Sequence, residues 1–395
     1  MNTGQQIFRD NVRTLNVSNP DNFMAPPLIR VGTSDRLNIN FDIISDDIEY
    51  LRYRLMHCNA DWQPSRLLEN EFVDGFNEAE IDDYAFSSNT YIHYVNYNIT
   101  VPNADMPIIA SGNYLLQVYP ESEPDNVILQ ARFSVSEEKS FLTVGMTSRT
   151  DIGTNSEYQQ LFMNVDLSNL TNVNPYQDLL VNIIQNNRPE TARTITHPIR
   201  VERNNAVFEH DPSLIFEAGN EYRRFETVRT DYPGMHVDSV KFKNGVWHAW
   251  LKPDESRARH TYSYDSTQHG RFKVDEYNST DPDLSADYVI VHFTLDPDVS
   301  PKGKVFLNGD FTQQRFDDSN LMKYNLTTGM YEASMALKQG SYNYQYLVIH
   351  DNGGSPSAKE IEGNKYETVN EYLVTVFFRP PGARGDRLVG SFLLQ

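Results

Sequence analysis

Ser111-Gly112-Asn113-Tyr114-Leu115-Leu116-Gln117-Val118-Tyr119 is the stretch that decides how the remainder of this sequence is read. Gly112 opens the run by supplying a turn. Tyr114, Leu116 and Val118 then share one face of an extended segment, because successive side chains of a strand point to opposite sides. The pattern returns far down the chain as Gly340-Ser341-Tyr342-Asn343-Tyr344-Gln345-Tyr346-Leu347-Val348, with Tyr342, Tyr344, Tyr346 and Val348 on one face. A glycine followed by alternating rings and aliphatics is how a strand entering the core of a β-sandwich reads. The expected fold class is all-β, as immunoglobulin-like β-sandwich domains in tandem.

Working outward, the same alternation appears at Leu37, Ile39, Phe41 and Ile43, and at Leu51, Tyr53 and Leu55. A strand is expected at Tyr91–Tyr97, and another where Leu129, Ala131, Phe133 and Val135 alternate with polar residues. Between the Leu51–Leu55 strand and Tyr91 lies a long acidic excursion, 59–89, rich in rings; loops of that length in compact domains usually carry function. The expected order is a lead-in segment over 1–25, a first sandwich over 26–137, a middle one over 138–284 and a last one over 285–395. Middle-module strands are expected at Gln160–Leu167, Leu179–Gln185, Ile199–Glu202 and Gly245–Leu251. The last module runs from Tyr288–Leu295 through the Gly340 strand to a terminal strand at Tyr372–Arg379. No amphipathic stretch calls for a helix of ten residues or more.

Composition narrows the function. The 395 residues include 23 Tyr and 21 Phe, enough rings to fill several small sandwich cores. The formal net charge of −20 opposes binding to nucleic acid or anionic lipid, both of which need a basic surface. No apolar run is long enough to span a bilayer as a helix. Cys58 stands alone, so no internal disulfide can form. The start, Met1-Asn2-Thr3-Gly4-Gln5-Gln6, has neither the basic nor the apolar region of a signal peptide.

Reactive chemistry finds no footing. There is no Gly-x-Ser-x-Gly elbow, and His57 and Cys58, adjacent on a strand, point to opposite faces rather than forming a dyad. Asp281-Pro282-Asp283 and Asp296-Pro297-Asp298 read as turns rather than calcium loops. The 10 His show no zinc spacing. No catalytic residue, metal site or cofactor site is expected, and the chain reads as a non-enzyme.

Val305-Phe306-Leu307-Asn308-Gly309-Asp310-Phe311-Thr312, with Gly329-Met330-Tyr331-Glu332 and the Gly340 strand, resembles the early-set, glycogen-binding type of sandwich. Such modules usually place a Trp shortly after the Gly-Asp-Phe turn, to stack on sugar rings. Here Gln313 and Gln314 stand there, so the resemblance implies the fold more than the ligand. A periplasmic or surface glycan-binding protein is the alternative reading, and a hydrolase working from the long loop a third.

Other runs go beyond generic sandwich pattern. They are His57-Cys58-Asn59-Ala60-Asp61-Trp62-Gln63-Pro64-Ser65, Asp281-Pro282-Asp283 with Ala286-Asp287-Tyr288, Gly363–Tyr372, and Phe378-Arg379-Pro380-Pro381-Gly382-Ala383-Arg384-Gly385-Asp386-Arg387. With these the chain, from about residue 24 onward, resembles the plug protein of the type IX secretion system. The resemblance implies a periplasmic protein associated with the outer membrane, its signal peptide absent from this sequence. It implies a monomer within a hetero-complex, whose partner is the large outer-membrane β-barrel translocon, closed by the plug when no substrate is in transit. The partner-binding residues expected on that basis are Asp61, Trp62, Phe72, Phe76, Tyr84 and Phe86, all in the long excursion.

Overall fold

The computed structural model describes residues 3–395, and the chain is almost wholly strand. Among the described residues the α-helices are Glu69–Phe72 and Pro282–Ser285, of four residues each.

In the first sandwich one sheet runs in the order Gln6–Ile7, Leu129–Ser136, Gly112–Pro120, Leu51–Cys58, Ala79–Glu80. It faces a second sheet ordered Val12–Ser18, Leu37–Ile43, Val95–Val101, Tyr84–Phe86. Leu37, Ile39, Phe41 and Ile43 pack against Tyr114, Leu116 and Val118 in the core. The Tyr114 ring stacks on Phe133 with centroids 5.4 Å apart. Burying each such side chain contributes roughly 1.5–3 kcal/mol. Gly112 is required in its place: its φ is +147°, and a Cβ there would lie 2.2 Å from the His57 ring. At Gly340 a Cβ would fall 2.2 Å from the Lys273 carbonyl oxygen of the neighbouring strand.

Residues 3–25 are not a lead-in; Met1 and Asn2 lie outside the described residues. Val12–Ser18 pairs with Leu37–Ile43 and buries Val12 and Leu15 in the first core. Its register shifts between Arg13 and Asn16, where Thr14 takes φ +54°, so the apolar positions lose the period of two that marks a strand. The expected Tyr91–Tyr97 strand is displaced to Val95–Val101. The backbone before it is spent elsewhere, with Ser88, Tyr91 and Ile92 N–H groups donating to Leu284 and Asp287.

The two later sandwiches interleave in sequence, against the expected boundaries. The sheet of Arg193–Ile195 and Leu179–Gln185 continues into Tyr372–Phe378 and Arg387–Leu394, so the chain's last hairpin fills the middle core with Leu161, Val165 and Phe208. Conversely, Arg223–Glu226, Val237–Lys243, Val246–Leu251 and Phe272–Val274 join the third sandwich with Tyr288–Asp296, Gly303–Asn308, Met330–Lys338 and Gly340–His350. Tyr342, Tyr344, Tyr346 and Val348 lie in its core as the alternation requires. The terminal strand misleads because both its faces are apolar: Val374, Val376 and Phe378 enter the middle core while Phe377 joins a separate cluster with Ala60 and Leu388.

Candidate functional site

The six residues of the excursion do not come together. Asp61 is exposed and accepts the Gln63 N–H at 3.0 Å, closing the turn that holds Trp62 at φ +62°. Trp62 turns toward the rest of the molecule, with the Arg132 guanidinium 4.2 Å over its ring. Phe72 is core, packed against His57 and Tyr114. Tyr84 is half-buried against Tyr97. Of the five rings only Phe76, at 86% exposure, and Phe86, at 50%, stand at the surface, on a stretch whose Asp74, Glu78, Glu80, Asp82 and Asp83 are also exposed. The excursion is ordered, adding the Tyr84–Phe86 and Ala79–Glu80 strands to the two sheets of the first sandwich.

What the more specific sequence runs build is the set of junctions between the sandwiches. Across the first junction the His57 run meets the Phe378 run: Ala60 N–H donates to Asp386 Oδ2 at 2.9 Å, Asp386 N–H to Asn59 Oδ1 at 3.1 Å and Arg66 N–H to Arg384 O at 3.0 Å. Arg387 Nε donates to Glu137 Oε1 at 2.7 Å. Burial works against the Glu137 anion, but hydrogen bonds from Arg387, Lys139 and Ser111 outweigh it and hold its carboxyl at about 2.

Between the first and third sandwiches Lys338 Nζ lies 2.8 Å from Asp42 Oδ2, both side chains at 0% exposure. Tyr288 Oη donates to the same oxygen at 2.6 Å, and the Lys338 ammonium sits 4.1 Å over the Tyr94 ring. Burial, then the Asp42 charge, raises the Tyr288 phenol well above its ordinary value, so it stays a donor. The Gly363 run ties the middle and third sandwiches: Gln159 Nε2 donates to the carbonyls of Tyr366 and Thr368, each at 2.8 Å, and Lys365 N–H to Gly219 O at 2.7 Å. None of these partners was legible in the sequence. Asp42 and Lys338 are single charges on ordinary strands, and nothing local marks them as paired across almost three hundred residues.

Cys58 is buried, its thiol pushed up to about 12 by burial, and His57 bonds Ser65 and the Ser111 carbonyl. Gln313 and Gln314 turn inward: Gln313 Nε2 donates to Leu15 O at 2.9 Å and Gln314 Nε2 to Asp310 Oδ1 at 2.7 Å. Among the described residues no group of three His, Cys, Asp or Glu could hold a metal ion.

Residues 12–137 match the family model described as the type 9 secretion system plug protein, first domain. The chain belongs to the type IX secretion system plug protein family. A crystal structure of a hypothetical protein from Parabacteroides merdae superposes with a TM-score of 0.96 at 39% identity, over 99% of this chain and 98% of that one. No curated protein matches. Membership of the plug protein family supports a role in type IX secretion and a periplasmic or outer-membrane-associated setting. Among the described residues no helix is long and apolar enough to cross a membrane.

Proposed function

We propose that this plug-family chain docks on the periplasmic mouth of the large outer-membrane β-barrel translocon and occludes its pore when no substrate is in transit, without catalysis. A barrel of many strands encloses a water-filled lumen that leaks unless something fills it. A stopper needs a fixed shape. The observation that carries the reading is that the plug-family sandwich is bolted to two others by sealed polar junctions, Asp42–Lys338 above all. A buried pair loses its partner only at a cost of several kcal/mol, which opposes hinging. Phe76 and Phe86, exposed apolar groups on an acidic stretch of chain, suit contacts with a partner that offers apolar surface and basic groups.

Immobilised protein is expected to retain the purified translocon barrel in mild detergent. Phe76→Ser with Phe86→Ser should weaken retention by about tenfold or more without changing the thermal transition. Release should quicken as salt rises from about 0.1 M to 0.5 M, where rim charges are screened. A barrel that passes through unretained would overturn the reading. The glycan-binding alternative gains nothing from the geometry, since the expected Trp position holds inward-turned glutamines.

A further inference from the structure

The three sandwiches do not close on one another completely. Where they meet they leave a cavity of about 290 Å³, near the small end of the ~300–1,000 Å³ typical of small-molecule sites. One wall is the outer face of the first sandwich, with Asn113, Arg132 and Ser134; the facing wall is the Asn182, Leu373 and Thr375 side of the middle one. The third closes it with Asp310, Gln313 and Gln314, and exposed Pro189 stands at the rim.

Three observations single this space out. First, Arg132 has no carboxylate partner among the described residues. Its Nε donates to the Thr3 carbonyl and its guanidinium carbon lies over Trp62, 4.2 Å from the ring centre. Burial lowers its pKa to about 10, which marks a desolvated cation without an anion to offset the loss of water. Second, four bulky or polar residues on the wall hold left-handed backbone: Trp62, Asn187, Gln313 and Gln314 have φ between +52° and +62°. Such conformations cluster at ligand sites, where surrounding structure enforces them. Third, the cavity is lined by two cations, Arg132 and Arg315, against one carboxyl, Asp310. In a chain of net charge −20 the cavity is therefore a pocket of opposite sign, walled by amide donors and acceptors.

We propose that the junction cavity is a binding site for a small polar carboxylate, its anion held by the Arg132 guanidinium beside Trp62 and its body hydrogen-bonded by the Asn and Gln side chains around it. A planar guanidinium takes a carboxylate through two parallel bonds, and flanking amides suit either the hydroxyls of an acidic sugar or the backbone of a dipeptide. The ligand would touch all three sandwiches, so binding would stabilise the assembled body.

Calorimetric titration and thermal unfolding of the intact chain test this, with D-galacturonate, N-acetylneuraminate and the dipeptide Ala-Glu as probes. D-galactose and Ala-Gln amide serve as counterparts that lack a carboxylate. At least one carboxylate is expected to bind and to raise the thermal transition, with its counterpart about tenfold weaker or more. Response to the sugars or to the dipeptide identifies the source. Arg132→Met should lose that binding while unfolding no earlier than the parent, because it removes an unpaired buried charge. Should the Met variant fail to fold, Arg132→Gln provides the same comparison. No binding by any of the three carboxylates at about 10 mM, or binding undiminished by either substitution, would overturn the proposal.

Discussion

Lys338 is the residue on which the junction between the first and third sandwiches turns. Its ammonium has the Asp42 carboxylate, the Asp283 carbonyl and the Tyr94 ring around it, and its side chain has no exposure to solvent. Lys338→Met leaves the Asp42 anion buried without its cation, and should cost about 3–5 kcal/mol in urea unfolding. Lys338→Met with Asp42→Asn should cost distinctly less, since no charge is then stranded. Equal losses in the two variants would show that packing, not charge, holds the junction. Asp310 gives a test by pH. Burial raises its carboxyl to about 6 from an ordinary 3.8, so folding favours the protonated form. The group costs nothing below about pH 4, and its cost grows as pH rises through about 6. Asp310→Asn should thus be neutral at about pH 4 and stabilising by about 1–3 kcal/mol at pH 8, read by denaturant titration at both. No gain at the higher pH would refute that account of its burial.

At the scale of the element, the sequence was most readable where apolar and polar residues alternate along a strand. The Gly112 and Gly340 strands, buried along most of their length on both faces, and Leu37–Ile43 keep that alternation, and their apolar residues lie in the cores as read. The bulge at Thr14 broke that rhythm in Val12–Ser18 and hid a strand inside an apparent lead-in. A second shift, between Val237 and Ser239, did the same for a strand of the third sandwich. Pairing was harder still, because the register of Leu179–Gln185 with Tyr372–Phe378 depends on a partner that sequence order places after the whole third sandwich. The excursion reads as five rings on a loop with Asp61 as a polar partner, and composition alone does not separate Phe72, which the core claims, from Phe76, which it does not. The terminal hairpin carries a prediction of its own. A chain ended after Asn370 exposes Leu179, Val181 and Ile183 along a bare edge, so limited proteolysis should cut first within 142–217. Cleavage no faster than in the intact chain would mean that the hairpin is dispensable to the middle core.

Over the whole molecule, the features most specific in the sequence are internal. The His57, Asp281, Gly363 and Phe378 runs hold sandwich to sandwich, and the outer surface is acidic with exposed rings scattered over it. This division of labour suits a body that works by shape: the interior keeps three sandwiches as one piece, and the exterior meets a partner. The plug-family assignment gives that piece a setting in type IX secretion, and the proposal gives it a pore to fill. The most direct test is the ionic conductance of the purified translocon barrel in a planar bilayer, before and after this protein is added on the periplasmic side. Occlusion predicts that conductance falls to near the bare-membrane level and recovers when the protein is washed out at high salt. An open-pore conductance unchanged at saturating protein would contradict it.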